Sequence, residues 1–485
     1  ALEKKGVISD RCEINRQIKA DNALLRELKA TVKKLMHAVK NTVPAIAEAM
    51  EKLRSNMIIF KYQLLHIGNG KHSIKQSLNL FRDEMAEYVA IIDKIKAKSK
   101  ERKTLLTEKK ETPVVHVLKH RDLAKRIAEM TEDLEELRSE KAVLLRRMEF
   151  PENATADSFR KEIRTLEDGL KKLEASEAKY AAELDNALKQ YAELQAKAME
   201  IVACETETIA AVSLMDLSVE AECFGSTIRV TDDEVPTVIG AVVSDEDAAD
   251  ALVVPEVGVC RTGLYIEAIA KASEMITDRP VLAGVIGPFS LAGRLMDVGE
   301  AMAYCYEEPD MVHTVLEKTT KFLIAYCEAY KAAGANGVVM AEPLAGMLSP
   351  GLAEEFSHPY VKQIVDAVQT EEFAVIYHNC GDNVKLMTKG IYGIGAMGYH
   401  FGNACRMADM IPDAPADVLV MGNVDPAAQI NQGTPESVMA ATLKVMEECC
   451  YAPNFVISSG CDIPPMSPWA NIEAFFTAVE SYYNK

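Results

Sequence analysis

From Phe159 to Leu194 apolar residues recur in alternating steps of four and three. The series is Phe159, Ile163, Leu166, Leu170, Leu173, Tyr180, Leu184, Ala187, Tyr191 and Leu194, with Glu177 as its one polar interruption. Such steps keep a stripe on one side of a helix, so the pattern predicts a heptad seam and a coiled coil. An upstream helix is predicted through Ile127, Met130, Leu134 and Leu137. Phe150-Pro151-Glu152-Asn153 separates the two, because Pro cannot continue a helix. Asp157 or Ser158 is placed to cap the second helix, and the pair is expected to fold as an antiparallel hairpin. Gly68-Asn69-Gly70 predicts another helix–helix turn and Thr112-Pro113 a further break.

After about Cys204 the period changes. Short apolar runs alternate with helical stretches, the rhythm of parallel strands joined by crossover helices. Strands are predicted at Ile209–Leu217, Val281–Gly287, Gly337–Ala341, Ala374–His378, Ala396–His400, Val418–Gly422 and Phe455–Ser459. A small hairpin is expected around Thr227–Val238, and helices around Met311–Ala333 and Pro435–Cys449. The fold class is therefore α/β: a (β/α)8 TIM-type barrel lacking its first strand, over residues 205–485, preceded by an all-α coiled-coil region over residues 1–204. A doubly wound sheet is the alternative, but no G-x-G-x-x-G follows any strand.

Charge sharpens that boundary. Residues 1–200 hold 40 Lys+Arg against 33 Asp+Glu, and the remainder 14 against 40. The acidic part is a poor candidate for nucleic-acid binding, because phosphates need Lys and Arg in place of their counterions. The Lys-rich run from Lys94 to Lys103 has no interleaved aromatics to stack on bases, so weak DNA binding or none is expected there. No apolar run reaches about 18 residues, and the first residues lack a signal-peptide core. Eleven scattered cysteines form no disulfide framework. A cytoplasmic protein is expected.

Barrel chemistry sits where strands end. One predicted strand runs into Tyr377-His378-Asn379-Cys380-Gly381, and residues i and i+2 of an extended segment point to the same side. The last strand ends Ser459-Gly460-Cys461-Asp462. Two thiolates and an imidazole from two strand ends suit zinc with a fourth position open. Buried structural His and Cys explain the same residues, and both readings stand at this point. Glu342 follows another strand and is a candidate fourth ligand or base. His400, Asn423 and Asp425 also sit at predicted strand ends and are candidates for substrate contact, as, further off, are Asp216 and Glu220.

Four segments carry a resemblance: Gly287-Pro288-Phe289-Ser290-Leu291-Ala292-Gly293, His378-Asn379-Cys380-Gly381, Gly422-Asn423-Val424-Asp425-Pro426, and Gly460-Cys461-Asp462-Ile463-Pro464-Pro465. Over about residues 207–483 the chain resembles the uroporphyrinogen decarboxylase superfamily, most of all its MtaA/CmuA-type methylcobalamin-dependent methyltransferases. The resemblance implies zinc on His378, Cys380 and Cys461. It also implies methyl transfer between a corrinoid, carried by a separate corrinoid protein, and a thiol or folate. A metal-free decarboxylase and a non-catalytic helical interaction protein, forming a homo-oligomer through its coiled coil, are the alternatives. Ala1-Leu2-Glu3-Lys4-Lys5-Gly6, Asp10-Arg11 and Asn15-Arg16-Gln17-Ile18-Lys19 resemble the segment after the catalytic domain of MobA/MobL-type mobilisation relaxases, to about Leu194. That resemblance implies no nickase activity, because the family's Tyr nucleophile and His cluster belong to the preceding domain. His37, His66, His72, His116 and His120 show no ligand spacing beyond the His116/His120 pair.

Overall fold

The computed structural model describes residues 2–112, 117–229, 236–464 and 466–484. Side chains are described from Ile46 on, apart from a few helical positions before residue 63. His37 and His116 thus lie outside the described side chains. The chain forms two compact units, residues 55–187 and residues 1–54 with 188–485.

Three helices open the chain, α1 (Leu2–Glu111), α2 (Val117–Arg147) and α3 (Ala156–Glu205); the smaller unit takes in α1 from residue 55, all of α2, and α3 to residue 187. The α2 and α3 helices do not form a hairpin with each other. Each runs antiparallel to α1 instead. Arg147 of α2 donates to Glu84 at 2.5 Å and Glu87 at 2.8 Å, and Lys98 of α1 pairs with Asp133. Arg82 of α1 reaches Glu167 of α3 at 2.8 Å, and Phe60 meets Tyr180 with ring centroids 6.2 Å apart. The heptad stripe of α3 therefore faces α1. Its polar interruption has a partner there, since Lys71 donates to Glu177 at 2.5 Å.

The corner between α2 and α3 is an aromatic knot. Phe150 and Phe159 lie 4.6 Å apart between centroids and Tyr88 of α1 lies 5.2 Å from Phe159. The Tyr88 hydroxyl donates to the Ala154 carbonyl at 2.8 Å. Pro151 turns the chain over this knot, so α3 continues along α1 in the direction of α2. Neither Asp157 nor Ser158 is the cap. Thr155 precedes the helix, and Ser158 acts from the third helical position, its hydroxyl accepting the Thr155 N–H at 3.3 Å.

The expected turn at Gly68-Asn69-Gly70 is also absent: α1 runs straight through it. Two glycines cost a helix only about 2 kcal/mol, which the packing of a long helix can offset. Gly70 also makes room, since a Cβ there would lie 3.2 Å from the Leu173 Cδ1 of α3. The break at Thr112 is observed, with residues 113–116 outside the described residues.

The larger unit contains a seven-stranded, wholly parallel curled sheet in the order β1-β4-β5-β6-β7-β8-β9. Its strands are β1 (Ala211–Val212), β4 (Val281–Ile286), β5 (Gly337–Ala341), β6 (Ala374–Asn379), β7 (Gly398–Phe401), β8 (Leu419–Val424) and β9 (Phe455–Ser459). The short strands β2 (Thr227–Arg229) and β3 (Thr237–Ile239) form the expected antiparallel hairpin. This is a barrel open by one unit. The first strand, expected over Ile209–Leu217, shrinks to two residues paired with Val281 and Leu282 of β4. A strand with one neighbour has half the ladder bonds to hold it extended. Past Ser213 the chain turns into the Asp216–Ser218 loop, tied by the Ser218 N–H and hydroxyl to Asp216 at 3.0 and 2.6 Å.

Every residue of β4 is buried, as a parallel strand covered on both faces requires. Helices Pro309–Ala332 and Pro435–Cys449 fall where the periodicity put them. The last turns of α3 contribute Ala192, Ala196, Met199 and Ala203 to the same core. Among the described residues, no helix is long and apolar enough to cross a membrane.

Candidate metal centre

Three strands converge on one rim. In the β6–β7 ladder His378 is the register partner of His400, and in the β8–β9 ladder Val424 pairs with Ser459, two residues before Cys461. His378 is buried, Cys380 and Cys461 half-buried, and one ligand atom from each lies within 4.8 Å of the other two. Among the described residues this is the one group of His, Cys, Asp and Glu that close-set for a metal. The Cys461 Sγ stands 3.7 Å from His378 Nε2. Gly402 backs the site: a Cβ there would lie 2.5 Å from that of Cys380, so a larger residue would displace the thiol.

The hydrogen bonds fix which imidazole nitrogen faces the cluster. His400 Nε2 is 2.8 Å from the Ser459 carbonyl and 2.7 Å from the Ser458 hydroxyl. A carbonyl only accepts, so His400 carries its proton on Nε2 and offers a lone pair at Nδ1. His378 Nδ1, 2.7 Å away, donates to that lone pair. The lone pair of His378 is then on Nε2, pointing at Cys461. His400 stays neutral, because burial and then the neighbouring His378 lower its pKa to about 3.

The two thiols share a proton. The Cys380 S–H donates to Cys461, and that bond holds the Cys461 thiol below its ordinary value. The same contact and burial push Cys380 up. Asp462 is raised first by burial and then by the charge on Cys461.

His378, Cys380, His400 and Cys461 all line one cavity of about 1570 Å³ inside the open barrel. Its walls are otherwise largely apolar, including Val339, Ile376, Met421 and Phe476. The other candidates lie elsewhere. Glu342 is fully buried, and its carboxylate accepts the N–H groups of Phe289 at 3.0 Å and Ser290 at 2.6 Å. It thus serves the start of helix Pro288–Met296 and is turned away from the cluster; burial raises it to about 7. Asn423 donates to the carbonyls of Gly402 at 2.9 Å and Cys405 at 2.7 Å. Asp425 accepts the N–H groups of Ala427 and Ala428 at 2.9 and 2.8 Å and the Asn403 amide at 2.9 Å. Asn423 and Asp425 border a smaller cleft of about 290 Å³ rather than the metal-centre cavity. Asp216 is held by Arg261, which also binds Glu222 at 2.5 Å.

The sequence reading missed Ser458, Ser459 and Asp462. Their only sequence signal was adjacency to Cys461, and the His400 contact across strands needs the register.

The family model of uroporphyrinogen decarboxylase (URO-D) matches residues 163–482. The chain belongs to that family. The match begins inside α3. Among relatives, methylcobamide:CoM methyltransferase MtbA of Methanosarcina mazei is 30% identical over 275 residues, 55% of this chain and 78% of its own. Its counterpart in Methanosarcina acetivorans is 29% identical over 274 residues, with the same coverage. Uroporphyrinogen decarboxylase of Coxiella burnetii is 27% identical over 288 residues, 56% of this chain and 77% of its own. A solved methyltransferase from Methanosarcina mazei, 23% identical, superposes with a TM-score of 0.55 over 60% of this chain and 86% of its own, a likeness of fold. Within the uroporphyrinogen decarboxylase superfamily the chain is a methyltransferase.

Proposed function

We propose that the barrel is a zinc-dependent methyltransferase that moves a methyl group between a methylated corrinoid, presented by a separate corrinoid protein in the cytoplasm, and a small thiol or related acceptor. The observation that carries this reading is the His378–Cys380–Cys461 cluster, three soft or borderline donors within 4.8 Å at the rim of an apolar cavity. Two sulfurs and one imidazole suit zinc over the hard cations, which take oxygen ligands. Zinc held there with an open position would lower the pKa of an acceptor thiol and keep it as the nucleophilic thiolate.

The chain's own residues prepare that site. His400 fixes the His378 tautomer and aims Nε2 inward. The bond from the Cys380 S–H favours the Cys461 thiolate, the form in which it would bind a cation. The apolar walls exclude water, which would compete for the methyl group and weaken the local field. Asn423 and Asp425 hold loops behind the rim, and substrate contact in the cavity falls to other groups. Glu342 acts at one remove as well, by anchoring the helix that follows β4.

MtbA relatives bear methylcobamide and CoM in their name, which motivates the corrinoid as donor and a thiol as acceptor. Residues 1–162 lie outside the family match. For them we retain the reading of a helical region of relaxase ancestry without nickase chemistry, in which the α3 stripe packs within the chain against α1.

The test is methyl transfer by the full chain from methylcobalamin to a small thiol, followed by the cobalamin absorbance change. The reading expects turnover that disappears after chelation and returns with zinc. Turnover unaffected by chelation, or decarboxylation of a carboxylated ring without metal, would refute it.

A further inference from the structure

A second pair of thiols meets away from the metal centre. Cys223 ends the short helix Val219–Cys223, and Cys260 lies in the turn that leads to helix Thr262–Met275. The Cys223 Sγ is 3.3 Å from the Val259 carbonyl and 3.7 Å from the Thr262 hydroxyl, so it sits over the turn that carries Cys260. The two thiols are themselves in hydrogen-bond contact. Neither is in a disulfide; Cys260 is exposed and Cys223 half-buried.

The frame around them is fixed. Arg261, next to Cys260, donates to Glu222 at 2.5 Å and Ser218 at 2.8 Å and pairs with Asp216. This clamps the turn to the helix that carries Cys223. The Gly258 N–H donates to the Thr262 hydroxyl at 3.0 Å, and that hydroxyl donates to the Val259 carbonyl at 2.6 Å. Cys260 itself has φ +50°, a left-handed backbone that a residue with a Cβ adopts at a cost. The structure thus holds an exposed sulfur and a sheltered one together in a rigid turn, the arrangement of an attacking and a resolving thiol.

We propose that Cys223 and Cys260 are a redox-active pair, a modification site for low-molecular-weight disulfides that is separate from the metal centre. The Cys260 thiolate attacks a disulfide RSSR, forms Cys260–S–S–R and releases RS⁻. Cys223 then loses its proton to solvent and displaces the second RS⁻, which leaves the Cys223–Cys260 disulfide. In balance, two protein thiols are oxidised, losing two protons and two electrons, and one RSSR is reduced to two RSH. The contact with Cys260 and burial both push the Cys223 thiol up, so the exposed sulfur is the first to attack. The bond would tie together the same two segments that Arg261 already joins.

The experiment treats the full chain with oxidised glutathione, quenches in acid, alkylates the remaining thiols and maps the peptides by mass spectrometry. The expected product is a peptide pair joined through Cys223 and Cys260 that dithiothreitol separates. In Cys223→Ser the reaction should stop at a glutathione adduct on Cys260, and in Cys260→Ser modification of Cys223 should slow about tenfold or more. A glutathione adduct that persists on Cys260 of the unmodified protein would overturn the proposal. So would oxidation confined to other cysteines, the Cys380–Cys461 pair included.

Discussion

The Nδ1 atoms of His378 and His400 lie 2.7 Å apart, and the two residues are direct register partners in adjacent parallel strands. One imidazole therefore sets the tautomer of the other, and the Ser459 carbonyl sets both. His400→Phe removes the nearer acceptor at Nδ1 and leaves His378 only the backbone carbonyl of residue 400, at 3.3 Å. We expect zinc affinity to fall about 10- to 100-fold while the fold is retained, measured by competition with a chromophoric chelator. Unchanged affinity would show that His378 needs no such support.

The buried Glu220 makes stability depend on pH. Burial raises it to about 7 from an ordinary 4.5, although the Ile286 N–H donates to one of its oxygens at 3.1 Å. A carboxyl raised on folding contributes stability that is present in full below about pH 4.5 and lost as pH rises through 7. The ionised form costs the folded state roughly 3 kcal/mol at most. Glu342 is raised to about 7 by the same cause and adds in the same direction. Glu220→Gln keeps the acceptor and removes the charge, so its Tm should fall less between pH 5 and pH 8 than that of the unmodified protein. Equal falls would place the ionisation elsewhere.

Two neighbouring glycines of α1 should respond differently to a methyl group. A Cβ on Gly68 meets nothing within 4 Å, whereas one on Gly70 comes within 3.2 Å of Leu173. Gly68→Ala should stabilise by about 1 kcal/mol through helix propensity. Gly70→Ala should gain less, because Leu173 must give way. Chemical denaturation monitored by circular dichroism reads both; an equal gain would mean that α1 and α3 do not approach there.

The stripe of α3 predicts a larger effect. Leu170→Asp with Leu184→Asp puts two charges on the face that meets α1, so helicity should drop, as read by circular dichroism. Unchanged helicity would contradict the packing of that stripe on α1. A fragment of residues 1–200 should leave supercoiled plasmid intact, and any binding to duplex DNA should be weak and salt-sensitive. Site-specific nicking would overturn that reading.

What the sequence made legible follows from how far each pattern reaches. Alternation and length located the parallel strands, because a buried strand is read within a few residues. The i, i+2 rule likewise put His378 and Cys380 on one side of a strand end. Pairing between segments is a longer-range matter. The α3 stripe showed that a partner was needed but not that the partner was α1 rather than α2. Position at a strand end suggested substrate contact for His400, Asn423 and Asp425, yet only register and loop closure reveal that His400 backs His378 and that Asn423 is spent on the carbonyls of Gly402 and Cys405. The partners of Glu342 were hidden for the same reason: the N–H groups it binds lie more than fifty residues earlier, beside β4.

The central claim is that His378, Cys380 and Cys461 hold zinc, and metal content tests it most directly. Cys461→Ala leaves two ligands, too few to keep the ion against buffer competition. Cys449→Ala removes a buried thiol from the end of helix Pro435–Cys449 and serves as the control. Purified unmodified protein and Cys449→Ala should each carry about one zinc per chain, and Cys461→Ala should fall to background with its circular dichroism unchanged. Equal zinc in all three folded proteins, or none in the unmodified one after refolding with zinc, would contradict the account.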